Sequence, residues 1–173
     1  MKTRIALLMA IFLAFAIALP VHARTTFTKH DKEFATKAAR DNLLEIELGK
    51  VAEQQAQAPE VKEFGTMIAT DHGKANDELK EIAQRKNLTL PAELGPKGRK
   101  KVDELKKETG AKFDRMFMKD MVKDHTSDVK AFKKAIPRIK DPELKTWAEN
   151  TLSGMKQHLK KAKATAKLVK AEK

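Results

Sequence analysis

The sequence predicts an all-α protein built from a bundle of four long helices. Alanine, lysine, glutamate, leucine and methionine dominate the 173 residues, and no stretch alternates β-branched with polar residues. Four long segments repeat apolar residues at the three-to-four-residue spacing of a helix. The chain has no cysteine, so disulfides and thiolate metal sites are excluded and stability must come from helix packing.

Capping and helix-breaking residues predict where the helices begin and end. Thr28 and Asp31 form a capping-box pattern that begins the first helix, and Pro59 suits the first turn of the second. Gly110 separates a short amphipathic helix from the third long helix, and Pro142 follows the next turn. The predicted helices cover about residues 28–57, 59–86, 97–108, 111–136 and 142 to near the C-terminus.

The lengths of the connections predict how the helices are arranged. The loops near Pro59 and Pro142 are short, so each joins two antiparallel neighbours. Roughly twenty residues connect the second long helix to the third, which is enough to cross the bundle lengthwise, and they contain the short helix. A bundle with one long crossover is the ferritin-like variant of the four-helix bundle, which is the fold class we predict.

The N-terminal segment has the pattern of a secretory signal peptide. Two cationic residues precede an uninterrupted apolar run, Ile5–Leu19, and small residues follow as far as Ala23. This run is shorter than the ~20 residues that span a bilayer. We therefore predict a signal peptide at residues 1–23 and one mature domain at 24–173. We expect that domain to have no transmembrane segment and to be periplasmic or associated with the outer membrane.

The positive charge limits the choice of partners. The formal net charge is +12, aromatic residues make up 5% of the chain, and tyrosine is absent. Proteins that bind nucleic acid by base stacking need more aromatic residues, so composition and export together argue against nucleic acid as a partner. The cationic stretches at 97–107 and 156–173 predict either a solvated surface or attraction to anionic envelope components. One functional hypothesis is therefore a structural or interaction module that binds an anionic envelope surface or a protein partner.

Helical phase turns ionisable residues toward the interior of the bundle. At about 100° per residue, each long helix places one such residue on its apolar face. These residues are Glu45, His72, His125 and His158, and Asp128 shares the face that carries His125. Burying imidazoles and a carboxylate costs several kcal/mol unless they are paired or ligate a metal.

Two explanations fit this group of residues. The first is a metal site formed by these five side chains, which would hold a single zinc, copper or iron ion. The second is a hydrogen-bonded polar layer that fixes the register of the helices. His ring nitrogens about 4 Å or less from one another would favour metal binding, whereas at separations beyond about 8 Å no shared ion could bridge them without a large rearrangement. Counted from their shared turn, His158 lies farther along its helix than His125 does, a mismatch of roughly 7 Å at 1.5 Å per residue.

Four stretches of the chain carry a resemblance to a known family. They are FATKAARDNLLEIELGKVAEQQAQAPEVKEFGTMIATDH, LPAEL, FDRMFMKDMVKDHTSDVKAFKKA and LKTWAENTLSGMKQHLKKAK. Over about residues 27–164 the sequence resembles a large bacterial family of exported, ferritin-like helical bundles, a domain of unknown function often labelled as an outer-membrane protein. The resemblance implies an envelope location and a ferritin-like bundle, and it implies no activity.

The predicted site lacks the carboxylates of a working di-iron centre. Such a centre takes a Glu from each of two helices and Glu-x-x-His from the other two. Here Ala69 and Met155 stand three residues before His72 and His158. We also find no nucleophile with a base at usable spacing and no Gly-rich phosphate loop. We therefore expect a non-enzymatic, stress-related envelope protein with a metal site. The alternative, a metal-dependent oxidoreductase, predicts oxygen consumption with Fe(II).

Overall fold

The computed structural model describes residues 26–171, which form helices and contain no strand. The helices are α1 (Lys29–Gln55), α2 (Pro59–Arg85), α3 (Pro96–Lys106), α4 (Gly110–Ala135) and α5 (Pro142–Ala171), with a one-turn 3₁₀ helix, Ile136–Arg138, after α4. The all-α prediction is confirmed, and the helix boundaries agree with the predicted ones to within two residues. The predicted signal peptide at 1–23 lies outside the described residues. Among the helices described, none has the length and apolar character needed to cross a bilayer.

Asp31 connects the beginning of α1 to the loop before α5. Its carboxylate accepts a hydrogen bond from the backbone N–H of Thr28 (2.9 Å), and the Thr28 hydroxyl accepts one from the backbone N–H of Asp31 (3.1 Å). This pair is the predicted capping box. The other carboxylate oxygen accepts a bond from the backbone N–H of Lys140 (3.0 Å). Because Asp31 is fully buried, these bonds offset the cost of removing its carboxylate from water.

Asp114, near the start of α4, closes the turn at the opposite end of the molecule. Its carboxylate accepts hydrogen bonds from the backbone N–H groups of Gln57 (3.0 Å) and Ala58 (2.8 Å), which form the turn between α1 and α2. The next residue, Pro59, begins α2 and has no N–H that needs a partner. The turn between the first two helices is therefore completed by a side chain from the other half of the chain.

Two glycines allow α1 and α2 to pack closely. A Cβ atom at Gly49 would lie 2.6 Å from the carbonyl oxygen of Gly65. A Cβ atom at Gly65 would lie 2.7 Å from the carbonyl oxygen of Gly49 and 2.7 Å from the Cβ of Ala52. Because interiors are packed as densely as crystals, a larger side chain at either position must push the helices apart.

The four long helices form two hairpins, α1–α2 and α4–α5, which pack side by side. α2 packs on α5 and α1 packs on α4. Along α1 and α4, Phe34 contacts Phe132 while His30 approaches Ala135, so these helices run antiparallel. α2 and α4 consequently point in the same direction, and the connection at 86–109 travels the length of the molecule to join them. α3 lies in this connection and packs mainly against α1.

The buried apolar residues form two clusters with polar residues between them. One cluster lies toward the α1–α2 turn and includes Phe64 and Phe117. The other lies toward the loop before α5 and includes Phe132 and Trp147. The residues that we call the polar layer lie between the clusters: Asn42, Glu45, His72, Asn76, His125 and His158. Each long helix passes from one apolar cluster to the other at its polar-layer residues, so this layer divides the core.

Candidate metal centre

Three histidines from three helices meet inside the polar layer. His72 lies on α2, His125 on α4 and His158 on α5, and we call them the triad. Their ring centroids lie between 5.4 and 5.7 Å apart. One nitrogen of each ring lies within 4.8 Å of the corresponding nitrogens of the other two. All three side chains are buried, with exposed fractions of 4%, 1% and 6%.

One nitrogen of each triad ring donates a hydrogen bond away from the centre of the triad. The acceptors are Asn42 Oδ1 for His72 Nδ1 (2.9 Å), the Met121 carbonyl for His125 Nδ1 (3.1 Å) and an Asp71 carboxylate oxygen for His158 Nε2 (2.9 Å). Because a backbone carbonyl and a carboxylate offer only lone pairs, the outer nitrogens of His125 and His158 carry the proton, and His72 Nδ1 carries it when the Asn42 amide oxygen faces the ring. These bonds fix the orientation of every ring.

The other nitrogen of each ring is buried without a partner. These inner nitrogens are Nε2 of His72, Nε2 of His125 and Nδ1 of His158, and none has a hydrogen-bond partner among residues 26–171. Each carries a lone pair, because the proton of its ring is on the outer nitrogen. Buried polar groups without partners are rare in folded proteins, and three in one place need a specific reason. A cation bound by all three lone pairs satisfies them together.

Burial keeps the imidazoles of His72 and His125 neutral. Burial, with the neighbouring His125 and His158 rings adding to it, lowers the pKa of His72 well below its usual range. Burial, followed by the His158 ring, lowers the pKa of His125 to about 4. Since only neutral imidazole has a lone pair for a metal, the site is prepared for a cation without first releasing protons from these two rings.

The spacing of the triad is close to that of a mononuclear site. An ion about 2.0 Å from three nitrogens holds those nitrogens about 3.5 Å from one another. The observed separations of up to 4.8 Å lie between the two predicted limits and closer to the lower one. Movements of about 1 Å, shared between the three rings by small rotations of their side-chain torsions, bring the nitrogens to ligand distance.

The 3₁₀ helix between α4 and α5 brings His125 and His158 to the same level. Helical counting predicted a mismatch of roughly 7 Å between these residues at 1.5 Å per residue. The residues Ile136–Arg138 extend α4 by about 6 Å, at about 2.0 Å per residue of 3₁₀ helix, before the chain reverses. This extension offsets most of the mismatch, so the two rings meet with their centroids 5.5 Å apart.

Most of the sequence matches one known protein family. Residues 16–165 match the family model described as "Domain of unknown function (DUF4142)". The chain belongs to the DUF4142 family. No functionally curated protein matches the sequence of this DUF4142 chain at a significant level.

Three solved structures resemble the DUF4142 chain in fold. A DUF305 fragment from Deinococcus radiodurans is 12% identical, with a TM-score of 0.72, and the match covers 82% of this chain and 98% of that one. CopM in its Cu(II)-bound form is 21% identical, with a TM-score of 0.67, covering 79% of this chain and 95% of that one. CopM in its Cu(I)-bound form is also 21% identical, with a TM-score of 0.61 and coverage of 78% and 93%. At these identities the likeness shows a shared helical fold.

The two predicted carboxylates do not join the triad. Glu45 is buried in the polar layer, with one carboxylate oxygen that has no partner in the described part of the chain. Burial and then Asp124 raise its pKa to about 8, while burial and then Asp41 raise the pKa of the partly buried Asp128 to about 6. Neither carboxylate belongs to the group whose ligand atoms lie within 4.8 Å of one another. The structure thus brings together three of the five predicted residues.

Helical phase does not identify the residues that hold the triad rings. Asn42 lies about 80° from Phe34 around α1, outside the apolar face within about 40° of that residue. Asp71 directly precedes His72, so helical phase predicts that it points away from the core. It is in fact half-exposed, and it reaches across to His158 on the adjacent helix. Single-helix phase cannot predict such a contact between helices.

A cavity of about 330 Å³ lies between α2 and α5 and reaches the triad. His72 and His158 line it together with Met155, and we call it the α2–α5 cavity. A larger cavity of about 580 Å³ lies beside the connection that follows α2, and no triad residue lines it. Size therefore does not identify the functional site, whereas the chemistry of the lining residues does.

Proposed function

We propose that this protein binds one transition-metal ion between α2, α4 and α5 through the inner nitrogens of the triad. The convergence of three partnerless nitrogens, one from each ring, carries this proposal. Burying a polar group without a partner costs about 1–3 kcal/mol, and a bound cation removes that cost at all three nitrogens. Neutral imidazole is a common ligand for zinc, copper and iron.

Copper is the ion that we propose to test first. The group within ligand distance consists of imidazoles, which suit copper and zinc better than the oxygen-seeking ions magnesium and calcium. The similar fold of CopM, which has been solved with Cu(II) and with Cu(I), supports this choice over zinc and iron. The lack of carboxylates in the group also argues against a di-iron centre.

The surrounding residues prepare the site rather than react. Asn42, Asp71 and the Met121 carbonyl hold the three rings by their outer nitrogens, and an apolar cluster lies on either side of the polar layer. A bound ion would supply a Lewis-acidic centre, and three protein ligands would leave a coordination position for a further donor. We propose that the protein holds or transfers the ion and has no enzymatic turnover.

Metal analysis of matched variants tests this proposal. Wild-type protein prepared without chelators should bind one Cu(II) or Cu(I) per chain, and its melting temperature should rise with added metal. The His125→Leu variant keeps the volume of the side chain but removes one ligand, so it should lose the bound metal. Without metal it should be at least as stable as wild type, because a partnerless polar atom has gone. His30→Leu is the control, since His30 lies at the beginning of α1, away from the triad.

The opposite results have a clear meaning. Wild-type protein that binds neither copper nor zinc nor iron, and melts at the same temperature with and without them, would overturn the metal site. The polar layer would then act only to fix the register of the helices. In that case His125→Leu should destabilise the protein or allow its helices to shift, which denaturant unfolding and far-UV circular dichroism would detect.

We also propose a cellular location and a fold class for the protein. The apolar run at 5–19 supports a signal peptide at 1–23, and the mature domain at 24–173 would then function in the periplasm or at the outer membrane. The two hairpins and the lengthwise connection at 86–109 support a ferritin-like four-helix bundle. In such a compartment, binding of metal during stress is the physiological role we propose.

A second candidate function is binding to an anionic lipid surface through α5. The lysines at 156, 160, 163, 167 and 170 follow helical spacing, lie on one face and are exposed. The chain has no Asp or Glu from Asn150 to Ala171, and Leu168, 53% exposed, adds an apolar contact. A cationic helix face with an exposed apolar residue suits an anionic membrane surface.

Vesicle binding at two salt concentrations tests this second candidate. Charge reversal at Lys160, Lys163 and Lys167 should abolish binding to phosphatidylglycerol vesicles, and salt should weaken the binding of wild type. Reversal of three exposed lysines of α4, Lys130, Lys133 and Lys134, gives a control of equal net charge that should still bind. Equal loss in both variants would indicate a response to net charge and would overturn a specific α5 surface.

A further inference from the structure

We propose that the metal reaches and leaves the triad between α2 and α5, through the α2–α5 cavity, and that the remaining coordination position of the ion faces this cavity. The inference rests on the proposed metal site and adds the route and the side from which a further donor can bind. The variants that test it replace residues of α2 and α5 that do not themselves ligate the ion.

The cavity has an exposed rim and a buried floor. Its floor consists of the three buried residues that line it, His72, Met155 and His158. Two of these three are triad members, so the cavity ends at the proposed ligands. Met155 is the third part of the floor, and its unbranched, flexible side chain can move aside without a change in the backbone.

The other sides of the triad, within residues 26–171, are formed by buried residues. His125 is the most deeply buried triad residue, and its ring is held by the Met121 carbonyl on its own helix. On the α1 side, Asn42 and Glu45 are buried in the polar layer. Among the cavities described within residues 26–171, the α2–α5 cavity is the one that triad residues line.

The rim of the cavity attracts cations. Asp71 and Glu78 lie seven residues apart on α2 and are both exposed at the rim, where they outnumber Lys74. The side chain of Asp71 is 53% exposed, yet its carboxylate accepts the hydrogen bond from His158 Nε2. One carboxylate therefore connects solvent to a triad ring, which places negative charge along the route that an arriving cation would follow.

Gly154 provides a way to block this route without disturbing the fold. It lines the cavity, and a Cβ atom built on it meets no other atom within 4 Å. A leucine at this position can therefore extend into the empty space. Gly73 gives the matched control, because a Cβ there also meets nothing within 4 Å and the residue does not line the cavity.

Stopped-flow uptake of Cu(II) by metal-free protein tests the route. Gly154→Leu should load about tenfold more slowly than wild type, which corresponds to a modest added barrier, while it reaches the same final stoichiometry. Imidazole or azide added to the loaded protein should change the copper spectrum of wild type and of Gly73→Leu, but not that of Gly154→Leu. Circular dichroism and melting of the metal-free proteins establish that each variant is folded.

A second blocking variant keeps the test valid if Gly154→Leu fails to fold. Thr151→Leu lies one turn earlier on the same wall of the cavity and should also slow loading. If both leucine variants fold, load at the wild-type rate and still bind imidazole, the route is wrong although the metal site stands. If wild type takes up no metal at all, the proposed function fails and the route fails with it.

Discussion

At the scale of single residues, the triad shows how hydrogen bonds can prepare a site before its ligand arrives. Each ring is held from outside, and the acceptors differ in kind: an amide, a backbone carbonyl and a carboxylate. Of these, only the carboxylate of Asp71 carries charge, so it adds an electrostatic attraction for a cation bound at His158. The neutral acceptors fix orientation without this effect.

The charge on Asp71 should strengthen metal binding. An asparagine at this position can still accept the His158 N–H through its amide oxygen, but it lacks the negative charge. We expect Asp71→Asn to weaken metal affinity about tenfold. This is the lower end of the effect usual for the loss of a group that hydrogen-bonds to a metal ligand. Competition titration against a copper chelator measures this change. Asp77→Asn, an exposed change on the same helix, is the control, and equal affinity in all three proteins would contradict the prediction.

Glu45 should make the protein less stable as the pH rises. Its pKa is 4.5 in the unfolded chain and is raised to about 8 in the fold, first by burial and then by Asp124. The favourable contribution of its bound proton is fully present below pH 4.5 and is lost as the pH rises through about 8. Relative to wild type, Glu45→Gln should therefore gain stability across this window, reaching on the order of a few kcal/mol.

Urea unfolding at about pH 5, 7 and 9 measures the pH dependence of this difference. Glu53→Gln removes an exposed carboxylate from the same helix and should show a small difference from wild type at each pH. A difference between Glu45→Gln and wild type that stays constant with pH would show that the buried carboxyl does not titrate differently in the two states.

At the scale of helices, apolar period and breaking residues were sufficient to predict all five α-helices. The same phase predicted that Glu45 and the triad would be buried. It could not predict that the triad rings meet while Glu45 stays apart, because that depends on how far one helix slides along another. The 3₁₀ turn at Ile136–Arg138 sets this offset for α4 and α5, and Pro137 alone does not specify its length.

The contact between α1 and α2 should respond strongly to one added methyl group. Gly65→Ala places a Cβ against the backbone oxygen of Gly49, so we expect a loss of about 1–3 kcal/mol in the free energy of unfolding. The same change at Gly154 meets no atom and favours the helix, so it should stabilise the protein by up to about 1 kcal/mol. Urea unfolding of both variants measures the contrast, and changes of the same sign would contradict it.

At the scale of the whole molecule, the proposed ion would join the two hairpins. α2 comes from the first hairpin and contributes His72, while α4 and α5 form the second and contribute His125 and His158. At a free metal concentration of about 100 times the dissociation constant, binding should raise the free energy of unfolding by about 2.7 kcal/mol. Hydrogen exchange should then slow in both hairpins together, whereas slowing in the second alone would contradict a shared site.

The two buried carboxylates at the ends of the molecule make its halves depend on each other. Asp114 of the second half completes the turn of the first, and Asp31 of the first half anchors Lys140 in the loop of the second. A polypeptide cut within 86–95 would therefore give two fragments, and each would lack the carboxylate that accepts hydrogen bonds from the backbone of its inter-helix loop. We expect either piece alone to be largely unfolded, and the mixture to recover helical circular dichroism by complementation.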